Sequence, residues 1–177
     1  MLGEGRFHES TMEEIALEAG ISRATLYQHF RSRLDLVDAI CDTFAVNPAL
    51  VEVKAAVDIP DPLEALAATI DQAMRFWASV DDVLRELHGV VALDPAAAEL
   101  VRRQYEDRQA VMRRLARHLH AAAPIRPGLS EARILDRLML LTSYETYSEL
   151  CLLGRSPAQV TRELQQMADA LLLDTGA

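Results

Sequence analysis

Arg23, Thr25, Gln28 and His29 are spaced so that one short helix turns all four outward, while Leu26 and Phe30, four apart, face a core. These outward side chains give and accept hydrogen bonds; they do not form a catalytic set. No acidic residue stands between Glu18 and Asp35, whereas Arg23, Arg31 and Arg33 do. Such a locally basic face suits a polyanion, because an acidic helix would be repelled by phosphate. Other chemistries find little to work with. The sequence holds no nucleophile elbow, no phosphate loop and no paired-cysteine metal spacing. His118 and His120, two apart, project to different sides of a helix and make poor co-ligands. An enzymatic reading is left with His88 or Glu145 as acid or base, and we expect no catalysis, no metal and no cofactor.

The elements that position these residues are written locally. Thr11 and Glu14 have the spacing of a capping box, which predicts a helix from Met12 with Met12, Ile15, Ala16 and Ala19 on one face. Gly20 follows, where glycine takes the left-handed conformation cheaply. Ile21 anchors the turn, Ser22 caps the next helix, and that helix runs from Arg23 to Phe30. Ser32 and Asp35 form a second box, opening a third helix with Leu34, Val37, Ile40, Cys41 and Phe44 as its buried stripe. Two short helices joined by a glycine turn describe a helix-turn-helix, whose second helix fits the major groove of DNA. A plain helical hairpin with a few solvated arginines fits the same spacing.

The residues go further than the spacing. The run IALEAGISRATLYQHFRSRLDL resembles the N-terminal domain of TetR-family transcriptional regulators. The residues that carry the resemblance are Ile15, Ala16, Ala19, Gly20, Ile21, Ser22, Thr25, Leu26, Tyr27, His29, Phe30, Ser32, Arg33 and Leu36. It implies a ligand-responsive regulator, a repressor more often than an activator, that binds palindromic double-stranded operator DNA as a homodimer and is released by a small-molecule effector. Carried over by position, Thr11, Tyr27, His29 and Arg33 contact phosphates, while Arg23, Ala24, Thr25 and Gln28 approach base edges. The chemistry agrees with those roles: arginine pairs bidentately with guanine, glutamine with adenine, and a tyrosine hydroxyl suits phosphate. Tyr27 is equally suited to packing the domain as a half-buried aromatic.

Two departures stand out. Arg33 replaces the family's usual lysine, which keeps the charge and changes the geometry. Only MLGEGRFHES precedes Thr11, too short for the basic helix that the family places there. The first helix is therefore expected either upstream of Met1 or missing from the domain. The second case describes an alternative function, a dimeric ligand-binding module that has lost DNA binding.

The expected fold is all-α, with a helix-turn-helix DNA-binding domain over residues 1–46 and an effector-binding and dimerisation domain over 47–177. Half of the 177 residues are apolar and a quarter charged, as in a folded water-soluble protein. A net charge of −9 is odd for a non-specific nucleic-acid binder, but fits a protein that confines DNA contact to one small face. Cys41 and Cys151 both fall in helical patterns, which suits a reducing cytoplasm. No apolar stretch reaches the length of a membrane span, and no signal-peptide pattern opens the sequence.

Beyond Val46 the punctuation predicts helices throughout. Leu50 to Val57 reads as a short helix or an irregular connection. Asp61, Pro62 and Glu64 start a helix to about Val80, and a shorter one spans Asp82 to Leu93. A long helix opens at Asp94 and Pro95 and reaches about Ala122; another runs from Ser130 through Leu153; Ser156, Pro157 and Gln159 open the last. Apolar residues fall on nearly every side from Ile134 to Leu153, so that helix is expected to be buried all round. With Val160, Leu164, Met167, Ala168, Leu171 and Leu172 on the last helix, it forms the expected two-fold dimer surface. Met74, Trp77, Leu84, His88, Tyr105, Met112, Tyr144, Glu145 and Tyr147 are candidates for an effector pocket, being large or carrying a polar edge. For each one alone, ordinary core packing explains the residue better than ligand contact does. A carboxylate at Glu145, if buried, needs a partner or a ligand group.

Overall fold

The computed structural model describes residues 10–93 and 95–174, apart from the side chains of residues 86, 88–93, 95, 98, 100 and 101. The described residues form nine helices and no named strand: α1 (Met12–Glu18), α2 (Arg23–His29), α3 (Arg33–Ala45), α4 (Pro48–Ala56), α5 (Pro62–Leu93), α6 (Pro95–Ala122), α7 (Glu131–Leu141), α8 (Tyr144–Leu152) and α9 (Pro157–Leu172). The fold is all-α, as the periodicity predicts. Whether a further helix precedes α1 falls on residues 1–9, outside the described residues.

Two compact units share these helices. One combines the chain up to Val46 with Val80–Tyr105; the other combines Asn47–Ser79 with the chain from Glu106 onward. In the first unit, Met12, Ala16 and Leu26 form a small core, with Ile15, Phe30 and Leu36 packed against it. Val37, Cys41 and Phe44 are buried along α3, whereas Leu34 and Ile40 are only half-buried and Ala19 is exposed. In the second unit α9 packs on α7 and α8. Its fully buried side chains include Leu66, Ile70, Met112, Leu115, Ile134, Leu138 and Leu164, each supplied by one face of its helix.

Two predicted boundaries are corrected. The break expected near Val80 is absent, and α5 is continuous for 32 residues. Asp81 and Asp82 look like a new helix start, but Arg85 on the following turn pairs with Asp81 and lies 3.7 Å from Asp82. With no glycine or proline between Ser79 and Arg85, nothing stops the helix.

Conversely, the helix expected from Ser130 to Leu153 is two. Thr142 donates its hydroxyl back to the Leu138 carbonyl at 2.7 Å, and Thr146 donates its own to the Leu140 carbonyl at 2.8 Å. Ser143 leaves helical geometry and caps α8, accepting from the Thr146 N–H at 3.1 Å. Hydroxyls so placed compete with the helical ladder. Within the single chain Leu140, Leu152 and Leu153 remain 64%, 78% and 64% exposed.

The uncertain stretch after Val46 is helical. Asn47 accepts from the Ala49 N–H at 2.9 Å, and Pro48 occupies the first turn of α4. At the far end of the chain, Arg126 donates to the Ala170 carbonyl at 2.8 Å and Arg137 to the Leu171 carbonyl at 2.5 Å. Two guanidinium groups thus answer the unpaired carbonyls and negative dipole end of α9.

Candidate nucleic-acid interface

The helix-turn-helix is held by the caps that the sequence spells out. The Thr11 hydroxyl accepts from the Glu14 N–H at 3.2 Å, and the Glu14 carboxylate accepts from the Thr11 N–H at 2.7 Å. Gly20 takes φ +68°, a left-handed conformation that a β-carbon would strain, and its turn lets the Ile21 N–H reach back to the Ala16 carbonyl at 3.0 Å. Ser22 then accepts from the Thr25 N–H at 3.0 Å to open α2. Leu26 is buried against α1, which fixes the rotation of α2 about its axis. The opposite side of α2 consequently faces water: Arg23, Ala24, Tyr27, Gln28 and His29 are all exposed, and Thr25 is half-buried.

At the end of α2 the chain turns into α3 through a second built corner. The Asp35 carboxylate accepts from the Arg31 N–H at 2.8 Å and from the Ser32 hydroxyl at 2.9 Å. These bonds, the Arg31 one foremost, hold its carboxyl below the usual carboxylate range. Arg31 is exposed, and Arg33 is half-buried at the first position of α3. Cys41 lies deeper along α3, and burial, with Asp38 and Asp42 nearby, pushes its thiol up.

Arg23 is not a solitary cation. Its Nε lies 2.9 Å from the Glu13 carboxylate on α1, and its guanidinium carbon sits 5.3 Å from the centre of the Tyr27 ring. Sequence reasoning misses this pair, because Glu13 and Arg23 lie on different helices and no period within either one links them.

The proposed effector residues are divided between the two units. Met74, Met112, Tyr144 and Tyr147 are buried in the second unit, with Trp77 half-buried beside them. The Trp77 indole meets Tyr144 edge-on with ring centres 5.7 Å apart, and donates its N–H to the Thr142 carbonyl at 2.9 Å. Tyr147 continues the aromatic run, 6.3 Å from Tyr144. Leu84 and Tyr105 belong to the first unit, half-buried and exposed respectively. His88 lies on α5, with its side chain outside the described residues. Glu145 is exposed in the first turn of α8, a favourable place for a carboxylate. Thr69 was not singled out by the sequence, yet its hydroxyl is fully buried and has no hydrogen-bond partner among the described residues. Only its apolar helix face signals that burial.

Among the described residues no cluster of histidine, cysteine, aspartate and glutamate is placed to hold a metal. No described helix is long and apolar enough to cross a membrane.

Known proteins share these features. The overall fold is similar to that of a Rhodococcus sp. protein solved as a TetR-family transcriptional regulator, with a TM-score of 0.70, 13% identity, and coverage of 97% of this chain and 94% of that one. It is also similar to the ketosteroid transcriptional regulator KstR2 of Mycobacterium tuberculosis, with a TM-score of 0.63, 19% identity, and coverage of 98% and 93%. In sequence, 73 residues are 33% identical to the HTH-type transcriptional repressor BepR of Brucella suis biovar 1. That match takes in 41% of this chain and spans only 35% of the repressor's length. The sequence model for bacterial regulatory proteins of the tetR family matches residues 1–40, the stretch that contains α1, the Gly20 turn and α2. The likeness to the tetR family of bacterial regulatory proteins is thus carried in sequence by residues 1–40 and in fold by the described helices.

Proposed function

We propose that the protein is a ligand-responsive transcriptional regulator, a repressor in the simplest case, that binds palindromic operator DNA as a homodimer in the cytoplasm. The observation that carries this reading is α2: it presents Arg23, Ala24, Tyr27, Gln28 and His29 to solvent on a helix fixed by a glycine turn and a buried leucine. In the bound state Arg23, Ala24, Thr25 and Gln28 approach base edges. Thr11, Tyr27, His29 and Arg33 take the phosphates. For Thr11 that contact requires its hydroxyl to give up the bond it donates to Glu14 at 2.9 Å, because a phosphate only accepts.

Dimerisation proceeds through the last helices. Leu152 and Leu153 close α8, and Met167 and Leu171, four apart, share the outer side of α9; all four are exposed in the single chain. Val160, Leu164, Ala168 and Leu172 are by contrast wholly buried and belong to the protomer's own core. An isologous pairing of these faces would place two recognition helices about one DNA turn apart, roughly 34 Å. The effector is recognised in the second unit, where Trp77, Tyr144 and Tyr147 form a run of neighbouring aromatic rings. Release requires that the effector prefer a dimer conformation that no longer matches consecutive grooves.

Gel-shift titration of the full-length protein against DNA from its own promoter region tests the reading. A discrete, salt-sensitive shift that is reversed by a copurifying small molecule, identified by mass spectrometry, is expected. Absence of any sequence-specific shift overturns it.

A further inference from the structure

In an unbroken helix the Ser143 N–H would bond the Met139 carbonyl, and the Thr146 N–H the Thr142 carbonyl. Here the Ser143 N–H turns instead to the Leu140 carbonyl at 3.3 Å, and the Thr146 N–H to the Ser143 hydroxyl at 3.1 Å. Side chains of two other helices take the released carbonyls. Arg108 on α6 donates to the Met139 carbonyl at 3.2 Å and to the Thr142 hydroxyl at 3.4 Å. Trp77 on α5 donates its indole N–H to the Thr142 carbonyl at 2.9 Å. All of these residues lie in the second unit.

No glycine or proline between Glu131 and Leu152 forces a break there. A helix without them breaks where side chains insert into its hydrogen-bond ladder. The Thr142 hydroxyl, bonded to the Leu138 carbonyl one turn back, is itself at home in a continuous helix. The chain turns at one torsion, ψ of Ser143, which is 154° against about −42° in a helix. We propose that the α7–α8 break is a two-position hinge, held bent by Trp77 and Arg108, that carries the effector's signal to the dimer surface; its second half rests on the proposed regulator function. Rotating ψ of Ser143 back closes the ladder over the Met139 and Thr142 carbonyls and releases both donors. A ligand that accepts the Trp77 N–H competes for the same donor, and so favours the straight form. The effector class that follows is a molecule with a hydrogen-bond acceptor facing the indole. Straightening re-aims α8, whose end carries the exposed Leu152 and Leu153.

Spin labels read the hinge by dipolar EPR when attached through Ala132→Cys on α7 and Glu149→Cys on α8, both exposed, with Cys41→Ala and Cys151→Ala. In a straight helix these backbone positions stand about 25 Å apart, at 1.5 Å per residue. The otherwise unaltered protein should give a shorter distance. Trp77→Phe, which removes the N–H and keeps a ring, combined with Arg108→Met should move the distribution to the straight value. Either substitution alone should move part of it, so the reading survives if the combined variant loses its helical signal. Ser143→Ala with Thr146→Val removes the local hydroxyls and should keep the short distance, because both outside donors remain. Trp77→Phe with Arg108→Met should also bind a selected two-half-site duplex at least about tenfold more weakly. The hinge is overturned if the distance is straight from the start, if losing the outside donors leaves it unchanged, or if the hydroxyl variant straightens as far. Straightening with undiminished affinity overturns the link to the dimer surface. A wild-type protein that selects no DNA sequence overturns the regulator reading, and the label distances then decide the hinge alone.

Discussion

Tyr27 and Gln28 are sequence neighbours on the exposed side of α2, and their chemistry divides them. A phenol hydroxyl bonds phosphate whatever the sequence, whereas a carboxamide can pair with one base edge. Tyr27→Ala should weaken binding to every duplex, and Gln28→Ala should chiefly relax sequence preference, each by about 1–3 kcal/mol at a good contact. Competition binding with selected and random DNA reads both; an equal loss on the two DNAs for Gln28→Ala contradicts its base-reading role. Asp35 carries a second, pH-dependent prediction. Its native carboxyl titrates below the unfolded one, because the Arg31 and Ser32 hydrogen bonds favour the charged form. Its stabilising effect is therefore complete above the unfolded pKa and lost as pH falls through the lowered native value. Urea melts across the acid range should show wild type and Asp35→Asn converging as the pH drops; a difference that persists at the acid end contradicts this. At this scale the outward set on α2 was legible from the four-residue spacing of Leu26 and Phe30. The ion pair between Glu13 and Arg23 was not, since it depends on how α1 packs against α2.

Helix starts are set by three or four consecutive residues, which is why α1, α2, α3, α5 and α9 begin where their caps predict. Thr11 with Glu14, Ser32 with Asp35, and Ser156 with Gln159 all make the bonds their spacing promises. Asp61 likewise accepts from the Leu63 and Glu64 N–H groups at 2.8 and 2.9 Å. Interior breaks are harder to read. Asp81–Asp82 resembles a cap but is neutralised by Arg85 one turn on, and Thr142–Ser143 hides a real break inside an apolar run. Ser143→Ala removes the cap of α8 and should cost about 1 kcal/mol in stability, seen as a lower urea midpoint at unchanged slope. No change would mean that packing alone sets the bend between α7 and α8. Leu164, fully buried where α9 meets its neighbours, is the contrasting case: Leu164→Ala should cost about 2–5 kcal/mol, against a much smaller loss for the exposed Met167→Ala.

For the whole molecule, the apolar residues left in water at the ends of α7, α8 and α9 are the surface that the proposed dimer would cover. A buried stripe and an interface stripe look alike in the sequence. Val160 and Met167 both repeat at helical spacing on α9, yet one is sealed in the protomer and the other is 49% exposed. Placing Glu at Met167 and Leu171 should shift sedimentation from dimer to monomer while leaving the helical signal intact; an unchanged dimer would move the interface elsewhere. Such a monomer should also lose affinity for a two-half-site duplex but not for a single half-site. The central claim, that α2 reads DNA sequence, is met most directly by the affinity of the full-length protein for a selected duplex and for a scrambled one, followed across salt concentration. The account predicts that both affinities fall steeply as salt rises, with the selected duplex held at least about 10³-fold more tightly throughout. Equal affinity for the two duplexes at every salt concentration would contradict it.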